Sequence, residues 1–325
     1  MLLNKLMSLV ALPMLCVAML GASAGSMAQE AWPSRTLRIV VPFPPGGSND
    51  VIARRLAQRL NVSLGQSVMI DNRAGGGSTI GAQNVASSAP DGYTFLFVSG
   101  SLATTAAVQK TSYDPLKAFE PVSRVAIAPF VMLTREGFPA KTVQELIAYA
   151  KANPEKINYG SAGLGDSTQL ATELFNNAAG IKMTAVNYKG IAPAQMDLIA
   201  GRIDLVITTV ASIRGTAAEK LPMLAFTSAK RDPEFPNVPT VRESGLDYVV
   251  DVWWGLFAPA GLPPAIRDRM NREIATIVAE PDFATFLKTA GAMPAPSSPQ
   301  VLHEELAKDV VRWTETAQRA GIQQK

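Results

Sequence analysis

Two loops hold most of the residues that could do chemistry in this chain, 44-PPGGSND-50 and 160-GSAGLGDST-168. Each sets glycines and then serine, threonine or aspartate between an apolar run and a segment that opens a helix. Backbone N–H groups at a helix start carry about half an elementary positive charge. With neighbouring hydroxyls they can hold an anion without a buried lysine or arginine. The loops 74-AGGGST-79, 99-SGSLATT-105, 188-YKGIAP-193 and 208-TTVASIRG-215 have the same character, and in all of these loops only Lys189 and Arg214 are cationic.

Enzymatic readings of the same residues are weaker. No Walker string of glycine, four residues and glycine-lysine-serine/threonine occurs, and 75-GGGSTIG-81 and 163-GLGDST-168 only approach a dinucleotide fingerprint. Metal or triad chemistry would have to use His303, the only histidine, which lies beside Glu304 and Glu305 on an amphipathic stretch. No cofactor is called for. Several candidates have ordinary roles as well. Gly46 and Gly47 suit a turn, Ser48 suits a helix cap, and Asp50 suits either a cap or a ligand contact. Tyr188 suits packing or closure over a ligand, and Asp204 a turn. Trp253 and Trp254 alternate, so at most one of them faces a cleft.

With 325 residues the chain is long enough for two domains of ordinary size. Its 47% hydrophobic and 18% charged residues match a globular protein with a large core. The N-terminus reads as a cleavable secretory signal, residues 1–28: Lys5, the apolar run Leu6 to Leu20, then small residues up to Ala28. Cys16 lies inside it, so the exported chain has no disulfide framework and no thiolate site. The formal charge of +3 is scattered, without the basic face that nucleic acid binding demands.

The elements that must position these loops alternate strand, loop and helix. LRIVVPF precedes VIARRLAQRL, SVMIDNR precedes 74-AGGGSTIGAQNVASSA-89, and YTFLFVSG runs into 101-SLATTAAV-108. The pattern resumes with 141-KTVQELIAYAKANP-154, where Thr142 and Glu145 have capping-box spacing. INYGSAG, 167-STQLATELFNNAAG-180, TAVNYKG, 193-PAQMDLIAG-201, IDLVITTV and LPMLAFTSAK follow, and the last third is helical over 263–281 and 300–321. Such alternation predicts parallel strands with crossover helices, the doubly wound α/β class. Two extended runs, 121-PVSRVAIAPFVMLTR-135 and 249-VVDVWWGLFAPAG-261, read as crossings between two lobes. Lobe 1 is then residues 29–129 and 253–325, with lobe 2, residues 130–252, inserted.

The strings 41-VPFPPGGSNDVIARRLAQRL-60, 71-DNRAGGGSTIGAQNVA-86, 90-PDGYTFLFVS-99, 157-INYGSAGLG-165, 188-YKGIAPAQMDLIAGRID-204 and 236-PNVPTVRESGL-246 resemble the Bug family, in order over nearly the whole exported chain. These are extracytoplasmic solute receptors of tripartite tricarboxylate transporters. The resemblance implies a type II, Venus-flytrap periplasmic binding protein with two doubly wound sheets and a two-strand hinge. It implies a monomer in the periplasm that closes on a small carboxylate, a di- or tricarboxylate or an aromatic acid, and delivers it to membrane transporter subunits. Alternatives are a sensor's binding partner without transport, and a secreted α/β hydrolase of small acids.

Carried over from the family, one grip is Phe43, Gly47, Ser48 and Asp50, beside Gly46 and with Ser99, Gly100 and Ser101 nearby. The other is Ser161, Ala162, Gly163, Ser167 and Thr168, with Tyr188 at the next loop. Two departures concern the distal part of a ligand: Gln169 stands where a histidine is common, and Thr208 and Thr209 stand where an acidic or amide pair is frequent. A ligand amine is therefore less well supported than a dicarboxylate or an aromatic acid.

Overall fold

The run LRIVV forms β1 (Leu37–Val41), buried except at Arg38, as expected of a strand covered on both faces. Its loop feeds α1 (Ser48–Leu64), which ends at Gly65 in the left-handed conformation that glycine adopts freely. The unit recurs as β2 (Val68–Asn72) with α2 (Thr79–Ala86), and as β3 (Thr94–Ser99) with α3 (Ser101–Val108). These belong to a computed structural model that describes residues 32–323; the expected signal segment and Cys16 lie outside the described residues. The chain divides into the units Met1–Ser34 and Arg35–Lys325, and both sheets belong to the second.

β4 (Phe119–Pro129) runs directly into β5 (Val131–Thr134), and α4 (Val143–Ala152) opens the next set of units. Thr142 caps that helix, its Oγ1 accepting from Glu145 N at 3.2 Å, while Glu145 Oε2 reaches past the cap to accept from Lys141 N at 2.6 Å, so the expected box forms only in part. Then come β6 (Asn158–Ser161), α5 (Ser167–Ala179), β7 (Thr184–Asn187), α6 (Ile191–Ile199), β8 (Leu205–Thr208), the single turn α7 (Val210–Ile213) and β9 (Met223–Phe226). β10 (Asp251–Pro259) leads to α8 (Pro264–Ala279), α9 (Pro281–Thr289), β11 (Met293–Pro294) and α10 (Pro299–Ala320). The stretch expected as one helix over 263–281 stops at Glu280, whose extended backbone (ψ 135°) is what a following proline favours.

Two sheets result, in the orders β11-β4-β10-β3-β1-β2 and β7-β6-β8-β5-β9. β1, β2 and β3 pair in parallel, as do β6, β7 and β8, and these are the strand-helix units expected from the sequence. The all-parallel expectation fails for the other strands. β10 lies antiparallel between β3 and β4, and β5 lies antiparallel between β8 and β9. A segment that passes from one sheet to the other has its direction set by that passage, and antiparallel neighbours need no crossover helix.

The passage is tied by one side chain. Thr227 Oγ1 accepts from Phe130 N at 2.8 Å and contacts Val250 O at 2.5 Å, while Thr227 N donates to Phe130 O at 2.9 Å. The fully buried Phe95, Phe97, Trp254 and Phe257 form the centre of the first lobe's core. α10 packs on α3 and β4 of that lobe and also reaches α5 of the other.

Candidate functional site

The loops at the carboxyl ends of the parallel strands face one another across a cleft, where open α/β sheets place their ligands. One wall is Phe43, Pro44, Pro45, Gly47, Ser48, Asn49 and Ser99; the other is Ala162, Asp166, Ser167, Thr168, Ile191, Ala192, Thr208 and Thr209. Phe130 and Val252, from the two passing strands, close the back. Among the described residues no lysine or arginine lines it, and Asp166 is the one acidic or basic side chain that does.

Among the described residues four helices begin in the cleft, the single turn α7 after Thr209 being the shortest. α1 starts after Gly47 and α6 after Gly190, and neither has a side-chain cap. These two starts come together: a Cβ on Gly47 would sit 3.5 Å from Ile191 Cγ2, and one on Gly190 (φ 106°) only 2.8 Å from Pro44 Cδ. Two uncapped first turns thus present positive partial charge to the same space. α5 differs, because Asp166 caps it: Oδ1 accepts from Thr168 N at 2.8 Å and from Thr168 Oγ1 at 2.6 Å.

Asp166 also joins the lobes. Its Oδ2 accepts from Ser101 Oγ at 2.9 Å, and Ser99 Oγ lies 2.8 Å from Ser101 Oγ, so a short chain of hydroxyls runs from lobe 1 onto this carboxylate. Burial pushes the Asp166 carboxyl above the usual carboxylate range, opposed by the bonds from Thr168 and Ser101. Two other buried groups on the cleft walls, Asn49 Oδ1 and Thr209 Oγ1, have no hydrogen-bond partner. Such groups are costly unless a ligand or water satisfies them.

Of the residues expected at the site, Phe43, Gly47, Ser48, Ser99, Ala162, Ser167, Thr168, Thr208 and Thr209 line the cleft, and Gly46, Asp50, Gly100, Ser101, Ser161, Gly163 and Tyr188 do not. Asp50 bonds within its own surroundings, accepting from Gly46 N at 3.1 Å, Arg54 Nε at 2.9 Å and Asn72 Nδ2 at 2.9 Å. Ser161 Oγ donates to Asn187 Oδ1 at 2.6 Å, and Gly100 backs onto the Trp253 ring. Gly163 and Tyr188 flank an adjoining hollow with the 75–78 turn and Lys189. Tyr188 OH donates to Asp197 Oδ2 at 2.7 Å, and burial pushes its phenol up to about 12.

Gln169 turns back on its loop, where Oε1 accepts from Gly165 N at 2.7 Å. Arg214 is occupied by Glu219 Oε1 at 2.6 Å and Thr289 O at 2.8 Å. Neither tryptophan reaches the cleft: Trp253 Nε1 donates to Asp309 Oδ2 at 2.8 Å, and Trp254 is fully buried. His303 sits in a surface groove with Glu120 and Arg267, among residues that do not line the cleft. Asp204 holds Arg135 Nε and Asn158 N, each at 2.9 Å, at the base of β5 and β6. Asn49, Asp166 and Ile191 were missed as site residues. Asn49 stands between two named candidates, and Asp166 inside a named loop, so position alone was the available signal.

The family described as tripartite tricarboxylate transporter family receptor matches residues 52–322. Protein BugT of Bordetella pertussis is 34% identical over 307 residues, spanning 93% of this chain and 94% of that one. Among solved structures, R. palustris Rpa4515 with adipate superposes with a TM-score of 0.86 at 37% identity, covering 89% of this chain and 98% of that one. MatC (Rpa3494) from Rhodopseudomonas palustris with bound malate gives 0.82 at 32% identity, covering 88% and 99%.

Proposed function

Because the chain belongs to the tripartite tricarboxylate transporter receptor family, we propose that it binds a small organic carboxylate by lobe closure and passes it to membrane transporter subunits. The family is one of receptors rather than enzymes. The observation that carries the reading is the pair of uncapped helix starts, α1 and α6, facing one cleft that no lysine or arginine among the described residues lines. A carboxylate there replaces its water with backbone N–H groups and the hydroxyls of Ser48 and Thr209. Adipate in one neighbour and malate in another support a di- or tricarboxylate, with an aromatic acid as the further class.

The protein acts in the periplasm as a monomer, after removal of residues 1–28, with lobe 1 as 29–129 and 253–325 and lobe 2 as 130–252. It needs no cofactor and no nucleic acid. A sensor's partner without transport would use the same cleft, whereas hydrolysis of small acids finds no support in the placement of His303.

A thermal-shift screen of the purified protein against mono-, di- and tricarboxylates, aromatic acids and amino acids tests the reading. One chemical class should raise Tm, and above Kd the stabilisation should grow with the logarithm of its concentration. Thr209→Val, which removes an unpartnered hydroxyl, should weaken that ligand about tenfold while leaving the unliganded Tm nearly unchanged. No shift with any carboxylate, together with turnover of an ester or amide, would overturn it.

A further inference from the structure

Ser101 and Thr105 stand four residues apart on one face of α3, and Gln109 follows at the helix end with the same spacing. All three meet consecutive residues of the loop before α5, on the other lobe. Ser101 Oγ donates to Asp166 Oδ2 at 2.9 Å, Thr105 Oγ1 to Gly165 O at 3.3 Å and Gln109 Nε2 to Leu164 O at 2.5 Å. The loop lies directly on the helix, because a Cβ on Gly165 (φ 75°) would fall 3.0 Å from Val108 Cβ and 3.2 Å from Thr105 Cα.

The three bonds are unequal. A hydroxyl has one proton, and that of Thr105 has a nearer acceptor within its own lobe, Gly77 O at 2.6 Å. A side-chain amide has two, and Gln109 gives one to Gly76 O at 3.1 Å and the other to Leu164 O, so it serves both lobes at once. Ser101 is fully buried and donates to a carboxylate. Of these six residues only Asp166 lines the cleft, so the seam runs beside the ligand's space and every partner in it is a protein group.

Resting on the receptor reading above, we propose that Gln109 and Ser101 are positioning residues that hold the lobes closed without touching the ligand, and so set the affinity for every ligand alike. Their bonds to the loop exist only while helix and loop are in contact. Losing one lowers the ratio of closed to open forms by the strength of one hydrogen bond, about threefold to tenfold, whatever acid is bound. Thr105 contributes less, since Gly77 O competes for its proton.

Titration calorimetry with succinate, malate, adipate, citrate and benzoate tests this, with stopped-flow tryptophan fluorescence on the tightest binder. Gln109→Met keeps the length and removes both donors, and Ser101→Ala removes the hydroxyl. Each should weaken every acid that binds by one common factor, about threefold to tenfold, with faster dissociation and nearly unchanged association. The two residues lie about 12 Å apart along the helix, so the factors should multiply in the double variant. Gln109→Lys restores a donor and should recover most of the loss, and the unliganded Tm should stay nearly constant throughout. Losses that differ between acids by more than about threefold would make these residues ligand contacts. Unchanged dissociation in the double variant would make the seam passive. Either result overturns the proposal and leaves the receptor standing, whereas no binding of any acid by the unaltered protein removes both.

Discussion

Asp166 is held where its charge is unwelcome, and this sets a sign for stability against pH. Burial is the largest influence on the carboxyl and raises its pKa above the unfolded value of 3.8. Below that value the proton is bound in both states and the contribution to stability is fully present. As pH rises through the folded value the proton must leave a dry site, and the contribution is lost. Asp166→Asn carries no proton to lose. Urea unfolding at several pH values should therefore show the unaltered protein losing ground to the variant as pH rises above 3.8. A difference that grows in favour of the unaltered protein would mean that the Thr168 and Ser101 bonds outweigh burial. Little of this was legible beforehand. An aspartate before a helix reads as a cap, and nothing local reports that its second oxygen crosses to the other lobe. Asp50 shows the converse. Its sequence position allowed a ligand contact, and Arg54, Asn72 and the Gly46 amide occupy it instead.

Among elements, the strand-loop-helix units were readable because each depends on local patterning: β-branched runs, glycine loops and apolar residues at helical spacing. The reversed directions of β5 and β10 were not, since a strand's direction within its sheet follows from connections that no single segment records. The two passing strands were recognisable as unusual, and the structure adds what fixes them. Thr227 is fully buried between Phe130 and Val250, and its hydroxyl accepts from one strand and contacts the other. Thr227→Val keeps the shape but leaves the Phe130 N–H without its side-chain acceptor and the Val250 carbonyl without its donor. The expected cost is about 1–3 kcal/mol in denaturant unfolding. A change below about 0.5 kcal/mol would show that water or a backbone shift replaces both bonds, and that the passage does not depend on this residue.

For the whole molecule, the proposed closure would bring the lobes together, and the glycine-rich turn before α2 already lies against the opposite lobe. Gly77 has φ 63°, and a Cβ there would fall 2.3 Å from Leu164 O and 3.0 Å from Gln109 Nε2. Two side chains bond across the same seam: Gln109 Nε2 donates to Leu164 O at 2.5 Å, and Thr105 Oγ1 to Gly165 O at 3.3 Å. Gly77→Ala brings two separable effects. The left-handed backbone costs about 1–2 kcal/mol with any Cβ, and the carbonyl of Leu164 must move away, which opens the seam. Gly137 supplies the control, because it has nearly the same backbone (φ 69°) and nothing within 4 Å of an added Cβ. Both variants should lose similar stability, but only Gly77→Ala should weaken ligand binding, by about tenfold or more as the closed state becomes a minor population. Small-angle scattering with saturating ligand should then show compaction in the unaltered protein and in Gly137→Ala, and less in Gly77→Ala. Equal affinities in the two variants would place the closing contact elsewhere. A fall confined to Gly77→Ala ties carboxylate binding to the approach of this turn to the loop that carries Asp166.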